Sequence, residues 1–270
     1  MSAAVNYNLT REKIQTISSK ETKNLVSSRE LDHYQLVDVR QPGEYAKGHL
    51  PGALLIPLSD LAARADELDE HKQTIVYCRS GVRSKTASQI LMRLGVSEVF
   101  NMEGGITSYE GQQVEGNVEA GLEFFVGSDF DSAYEMAFAM EAGLKNFYLA
   151  LSDGAEMDEE RRTLIKLAKL EDGHMTRLIN KFGTVSFNPE TTITEGGVDV
   201  EQMLIYFGDQ LDSRERILQM AMKLEAQAYD LYSRLAREHQ GEDTESFYQL
   251  MAVDEHKHLV IVSKELDNLL

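Results

Sequence analysis

Four glutamates stand where apolar residues are expected, and they constrain the fold of this chain more than any other feature. Apolar residues recur at the spacing of amphipathic helices in four long stretches, which are residues 129–153, 158–182, 212–240 and 243–269. Each stretch carries one glutamate on its apolar stripe, and these are Glu141, Glu171, Glu225 and Glu255. Because an isolated buried charge is costly, this pattern predicts four helices packed around a shared, positively charged partner.

Two of these glutamates are followed, three residues later, by a histidine on the same helix face. His174 follows Glu171 and His258 follows Glu255, whereas His256 lies off the stripe and is expected to be exposed. One such motif is usually a solvated helix face, but two on alternate apolar seams favour a buried site. Hard carboxylates with two imidazoles suit iron or manganese, and the set matches the di-metal arrangement of four-helix bundles.

The first half of the chain has a different periodicity. Short β-branched or aromatic runs bounded by polar turns occur at Tyr34–Arg40, Thr74–Cys78 and Glu98–Met102, and a helical pattern ends at Gly95. Alternating strands and helices predict an α/β domain with a mostly parallel sheet flanked by helices. We therefore expect a multidomain chain, with an α/β domain at residues 1–114, a linker at 115–127 and an all-α four-helix bundle at 128–270.

Cys78 is the one cysteine of the chain, which excludes an internal disulfide and a four-cysteine metal site. It ends a predicted strand, and the loop that follows opens into a helix whose first amides point at the thiol. Arg79 and Arg83 add positive charge, and Gly81 permits a tight turn. The pattern favours an ionised, nucleophilic thiol over the alternative, a small core residue at a strand end.

The charge and the apolar pattern limit the partners. A net charge of −18 disfavours nucleic acid and anionic membranes. The first residues lack the features of a signal peptide, and no run approaches the length of a membrane span, so we expect a cytoplasmic protein.

Three segments of the first half resemble the rhodanese-like sulfurtransferases: "LVDVRQPGEYAKGHLPGALLIPL", "VYCRSGVRS" and "VFNMEGGITSYE". The resemblance implies that Cys78 carries a persulfide, loaded by a small sulfur donor and unloaded by a thiol or cyanide acceptor. The outer sulfur would rest among the amides of the loop residues Arg79, Ser80, Gly81, Val82 and Arg83. Asp38 and Arg40 would support this region. Four residues separate Cys78 from Arg83, one fewer than in the related phosphatase loops, which disfavours phosphate ester hydrolysis.

The second half resembles the rubrerythrin branch of the ferritin-like proteins in its motifs, helix order and long middle crossover. The resemblance implies two iron ions per chain, with manganese as the other candidate metal. One ion would be held by Glu141, Glu171 and His174, and the other by Glu225, Glu255 and His258. Glu171 and Glu255 would bridge the ions, and two tyrosines would lie near the site, Tyr148 and Tyr232.

The function of the bundle beside the first domain has two interpretations. The bundle reduces peroxide or dioxygen, using an external electron donor because one cysteine cannot form the rubredoxin-type centre of rubrerythrins. Alternatively, it binds or stores iron, and the first domain is its docking or redox partner. The sequence leaves a homodimer open.

Overall fold

The computed structural model describes residues 14–27, 33–116, 133–183, 200–207 and 211–269. Most of the predicted linker at 115–127, and the crossover residues 184–199, lie outside these ranges. Within them, the predicted architecture of an α/β domain followed by a four-helix bundle is confirmed.

The first domain is built on a five-stranded parallel sheet with the order β1-β5-β4-β2-β3. Its strands are β1 (Gln15–Ser18), β2 (Tyr34–Asp38), β3 (Leu54–Leu55), β4 (Gln73–Tyr77) and β5 (Val99–Glu103). The helices of this domain are α1 (Ser19–Val26), α2 (Pro42–Tyr45) and α3 (Val82–Arg93). The central β4 has fully buried residues on both faces of the sheet, including Ile75 and Val76, as expected for a parallel sheet covered on two sides.

The second domain consists of two antiparallel helix pairs with a short helix between them. Its helices are α4 (Ala133–Gly154), α5 (Asp158–Phe182), α6 (Val200–Phe207), α7 (Arg214–Glu238) and α8 (Glu245–Asp267). None of the described helices is both long and apolar enough to cross a membrane. The buried stripes of the four long helices face one another, so the residues that interrupt these stripes meet inside the bundle.

The two domains are joined by a buried ionic cluster centred on Asp230 of α7. One carboxylate oxygen of Asp230 accepts a hydrogen bond from the Gly52 amide at 2.9 Å. The other accepts from Arg234 Nε at 2.9 Å and lies 3.3 Å from His49 Nε2. Arg237 donates to the Gly52 carbonyl at 3.2 Å. The turn at 49–52 is thus fixed to the bundle by buried and partly buried hydrogen bonds to charged groups.

Gly52 brings the two domains into close contact. Its φ angle of +75° is in the left-handed region, and a Cβ atom at this position would lie 2.6 Å from the hydroxyl of Tyr229. A side chain here would therefore clash with α7 as well as strain the turn.

His256 is buried, which corrects the expectation that it is exposed. It is 1% exposed, its Nε2 donates to the Val26 carbonyl at the end of α1 at 2.6 Å, and its ring packs against Tyr229. The helical periodicity placed His256 correctly, off the stripe that faces the bundle interior. The periodicity of α8 alone predicts that its outer face is exposed to solvent, but the first domain covers that face.

Removing the charge of Asp230 should destabilise the whole chain in a pH-dependent way. Burial alone would raise the pKa of Asp230, but His49 and Arg234 lower it from 3.8 to about 2. The stabilisation is therefore present above pH 3.8 and is lost as the pH falls toward 2. We expect Asp230→Asn to lower the free energy of unfolding by about 2 kcal/mol at pH 7, with a smaller difference below pH 3, in chemical denaturation.

The matched control is Asp212→Asn, which removes an exposed aspartate paired with Arg216 at the same helical spacing. This variant should unfold like the unmodified chain, because exposed ion pairs contribute little. Equal effects of the two substitutions would contradict the assignment of Asp230 as a buried interdomain anchor.

Candidate functional sites

Cys78 lies between the end of β4 and the start of α3, with its side chain directed into the turn. The residue is 1% exposed, and its Sγ accepts a hydrogen bond from the Gly81 amide at 3.1 Å and one from the Ser84 hydroxyl at 3.4 Å. Gly81 has a φ of +89°, which turns the loop back over the sulfur. The first turn of α3 thus presents donors to the sulfur atom.

These donors favour the thiolate. Burial alone would raise the pKa of the Cys78 thiol, but the Ser84 hydroxyl and the backbone amides of Ser84, Ser80 and Gly81 lower it below its ordinary value. Hydrogen bonds to a charged sulfur stabilise the ionised form, which is the nucleophile. Sequence reasoning missed Ser84, although its position in the first turn of α3 was a signal that it could reach the sulfur.

The two arginines are placed differently from the sequence expectation. Arg83 is held by Glu44, whose two oxygens accept hydrogen bonds from its guanidinium at 2.7 Å each. Arg79 is exposed, as are Ser80 and Val82, so these three residues form the rim of the loop. The hydrogen bonds to the sulfur come from amides and a hydroxyl, and the arginines lie around them.

The loop is supported from below by a short 3₁₀ helix at Gly105–Ser108. The amides of Ile106 and Thr107 donate to the carbonyls of Cys78 and Arg79 at 2.9 and 3.1 Å. A Cβ atom on Gly105 would lie 2.4 Å from the Cys78 carbonyl oxygen, so a glycine is needed for this approach. Both carbonyls are thereby directed away from the sulfur, which leaves the amides facing it.

Asp38 and Arg40 pair with each other at the end of β2. Arg40 donates to both carboxylate oxygens of Asp38 and, at 2.7 Å, to the carbonyl of Gly48. The pair therefore fixes the start of the turn that reaches the bundle. The structure records no hydrogen bond from Asp38 or Arg40 to the sulfur among the described residues.

The six predicted metal ligands meet inside the bundle. All are at most 3% exposed, and they are Glu141, Glu171, His174, Glu225, Glu255 and His258. The two imidazole rings stack with centroids 4.2 Å apart, so the two Glu-x-x-His motifs face each other across the bundle axis.

The donor atoms form three overlapping groups, in each of which all atoms lie within 4.8 Å of one another. Two groups share Glu255, which joins Glu141 and His174 in one and Glu225 and His258 in the other. The third combines Glu171 with both histidines. Glu171 and Glu255 are thus the carboxylates that reach both halves of the cluster, which is the geometry expected of bridging ligands.

The cluster has the oxygen and nitrogen donors of a cation site, and several of its buried carboxylate oxygens accept no hydrogen bond from the described residues. Glu225 has two buried oxygens, and Glu141 one, that lack a hydrogen-bond partner within the part of the chain that the structure describes. Burial would raise the pKa of Glu141, but the neighbouring His174 lowers it, so this carboxylate stays ionised. Four carboxylates in an apolar interior need compensating charge, and two divalent cations with oxygen and nitrogen ligands would supply it.

Asp254 lies beside one of the histidines, outside the cluster. Its carboxylate lies 3.6 Å from His174 Nε2 and accepts hydrogen bonds from Arg177 at 2.9 Å and Lys257 at 2.7 Å. At this distance the carboxylate places a negative charge near Nε2 but does not hydrogen-bond to it, whereas Nδ1 of the same ring lies 3.0 Å from Glu141 Oε2. Sequence reasoning missed Asp254, whose signal is its place directly before Glu255.

Tyr148 and Tyr232 are both fully buried in the bundle. Tyr148 packs among the apolar residues between α4, α5 and α7, and Tyr232 packs with α7 and α8. Their place near the metal ions remains a prediction.

Known families match both halves of the chain. The rhodanese-like domain matches residues 18–112, and rubrerythrin matches residues 133–266. The uncharacterized protein YqhL of Bacillus subtilis is 42% identical over 78 residues, which cover 29% of this chain and 62% of that protein. A sulfurtransferase of Allochromatium vinosum is 40% identical over 27% of this chain and 69% of its own length. The thiosulfate sulfurtransferase GlpE of Coxiella burnetii is 30% identical over 35% of this chain and 85% of its own length.

The three relatives cover between 27% and 35% of this chain. The chain spans less than two thirds of YqhL and more than two thirds of the other two proteins. The rubrerythrin match covers the second domain alone.

The shared ligand geometry predicts different metal losses for different glutamates. Glu255→Ala should lose both ions, because Glu255 belongs to a group in each half of the cluster. Glu225→Ala should keep about one ion per chain, because the group of Glu141, His174 and Glu255 is intact. Metal content after dialysis against Mn²⁺, together with the metal-induced rise in melting temperature, measures both effects.

The control is Glu238→Ala, an exposed glutamate on the same helix as Glu225. It should leave the metal content unchanged. If Glu255→Ala keeps two ions, or if Glu225→Ala and Glu255→Ala lose the same number, the bridging role of Glu255 is wrong.

Proposed function

Because the chain contains a rhodanese-like domain and a rubrerythrin domain, we propose that it forms a persulfide on Cys78 and reduces peroxide or dioxygen at a di-iron site in the bundle. The sulfur transfer belongs to the first domain and the oxidant chemistry to the second.

The observation that carries the first proposal is the set of donors around Cys78 Sγ. The Gly81 amide and the Ser84 hydroxyl stabilise a sulfur anion, first the thiolate and then the terminal sulfur of the persulfide. The relative GlpE is a thiosulfate sulfurtransferase, which suggests thiosulfate as a donor for this chain.

The proposed transfer is a displacement at sulfur. The Cys78 thiolate attacks the outer sulfur of thiosulfate, a new S–S bond forms, and the original S–S bond breaks as sulfite leaves with the electron pair. The product on the enzyme is a persulfide anion, which a thiol or cyanide then attacks at its outer sulfur. The thiolate is not consumed, and the cycle needs no oxidant or reductant.

Incubation of the full chain with thiosulfate should add the mass of one sulfur atom to the intact protein, as measured by mass spectrometry. Cys78→Ser should abolish the addition, because Cys78 is the one thiol of the chain. Equal loading on the serine variant would overturn the proposal.

The second proposal rests on the closed, buried nature of the six-residue cluster. The three candidate metal groups found in the described part of the chain all draw on the same six side chains. Iron bound there would supply electrons to an oxygen–oxygen bond. Asp254 would place a negative charge near His174 Nε2, and the apolar residues around the cluster would limit the access of water. One cysteine in the chain leaves the electron supply to an external donor.

Storage of iron is the alternative, and the geometry favours it less. A storage bundle must pass ions on to a mineral, whereas these donor atoms sit in one compact buried group, which supports a site for resident ions. A catalytic site predicts about two irons per chain, and a store predicts many more.

Iron-loaded protein purified without oxygen should consume peroxide when given an electron donor. Glu255→Ala should lose this activity, and Cys78→Ser should keep it, because Cys78 belongs to the other domain. If Cys78→Ser loses peroxide consumption and Glu255→Ala keeps it, the reaction belongs to the thiol and the metal proposal is overturned.

A further inference from the structure

We propose that Glu44 is a positioning residue that sets the selectivity of the sulfur site among anionic donors, by holding Arg83 away from the incoming donor. The inference rests on the proposed sulfur transfer at Cys78 and adds to it a residue that limits how tightly a dianionic donor binds. Neither the sequence motifs nor the donors around the sulfur assign this role to Glu44.

The geometry fixes Glu44 as a clamp. Glu44 lies in the first turn of α2, and the Gln41 amide donates to its Oε2 at 3.3 Å, which orients the side chain. Its two oxygens accept one hydrogen bond each from the two terminal nitrogens of Arg83, both at 2.7 Å. This fork occupies the guanidinium edge that would otherwise bind a planar pair of substrate oxygens.

The charges explain why the clamp affects donors rather than the thiolate. The hydrogen bond to Arg83 is the largest influence on Glu44 and lowers its pKa to about 2, so Glu44 is ionised throughout the working pH range. The charges of Arg83 and Glu44 therefore nearly cancel beside the loop at 79–83. The hydrogen bonds to the sulfur come from the Gly81 amide and the Ser84 hydroxyl, and Arg83 acts on the sulfur through its charge alone.

The clamp is weak enough to open. The side chains of Arg83 and Glu44 are each 34% exposed, and such half-exposed pairs are screened by water and salt. A donor with two negative charges, such as thiosulfate, competes with Glu44 for the guanidinium. A donor with one negative charge is attracted less strongly to Arg83, so Glu44 lowers its binding affinity by less.

Glu44→Gln tests the inference without removing the cap of α2, because glutamine keeps the shape and an acceptor oxygen. In a Cys78→Ser background, where no sulfur transfer occurs, the Kd for thiosulfate should fall about fivefold at low salt, as measured by calorimetry. With Cys78 present, the concentration of thiosulfate that half-saturates persulfide loading should fall equally, while the limiting rate stays within about twofold. The monoanion benzenethiosulfonate should gain roughly twofold in affinity.

A double-mutant cycle with Arg83→Gln shows whether Glu44 acts through the guanidinium. In the Arg83→Gln background, Glu44→Gln should no longer change the Kd. The matched control is Glu67→Gln, which breaks an exposed bidentate pair with Arg64 in the same domain and should change nothing.

Each outcome decides a separate point. An unchanged or higher Kd in Glu44→Gln overturns the clamp, as does an effect that persists without Arg83, since direct repulsion would then account for it. Failure of the unmodified chain to load sulfur would overturn the proposed transfer, and the Kd in the serine background would still decide the role of Glu44.

Discussion

The compensation of buried negative charge is the constraint on which this structure depends. Three of the buried sites illustrate it, and each is compensated by different means. The Cys78 sulfur is held by amides and a hydroxyl, Asp230 by a histidine and an arginine, and the bundle carboxylates by two histidines and a site suited to divalent ions. Only the last of these is incomplete without a cation, so the bundle alone should need metal for full stability.

The three centres lie on connected elements. Asp230 is on α7, the helix that also carries Glu225, and it binds the turn at 49–52. Arg40 donates a hydrogen bond to the Gly48 carbonyl at the start of this turn, and the Tyr77 hydroxyl accepts one from the Leu50 amide within it. Tyr77 directly precedes Cys78. Hydrogen-bonded residues thus link α7, which carries the candidate ligand Glu225, to β4, which ends one residue before Cys78.

The sequence predicted what depends on local periodicity and missed what depends on long-range packing. The second bundle helix has the predicted bounds, 158–182, and the six candidate ligands face one another, because helical spacing determines which residues share a face. Glu44 and Ser84 were missed because their roles arise only when α2 and α3 fold around the loop. His256 was judged from its own helix, and the domain that covers it lies 230 residues earlier in the chain.

Gly52 has a consequence for how such a two-domain chain can arise. Its backbone serves two demands at once, the left-handed turn of the first domain and the close approach to Tyr229. In a homologous first domain, any other residue at this position would strain the turn, and its side chain would also clash with Tyr229 on α7. Recombination of the two domains is therefore restricted to donors that already have a glycine in this turn, so a requirement of the isolated domain has become a condition for the fusion.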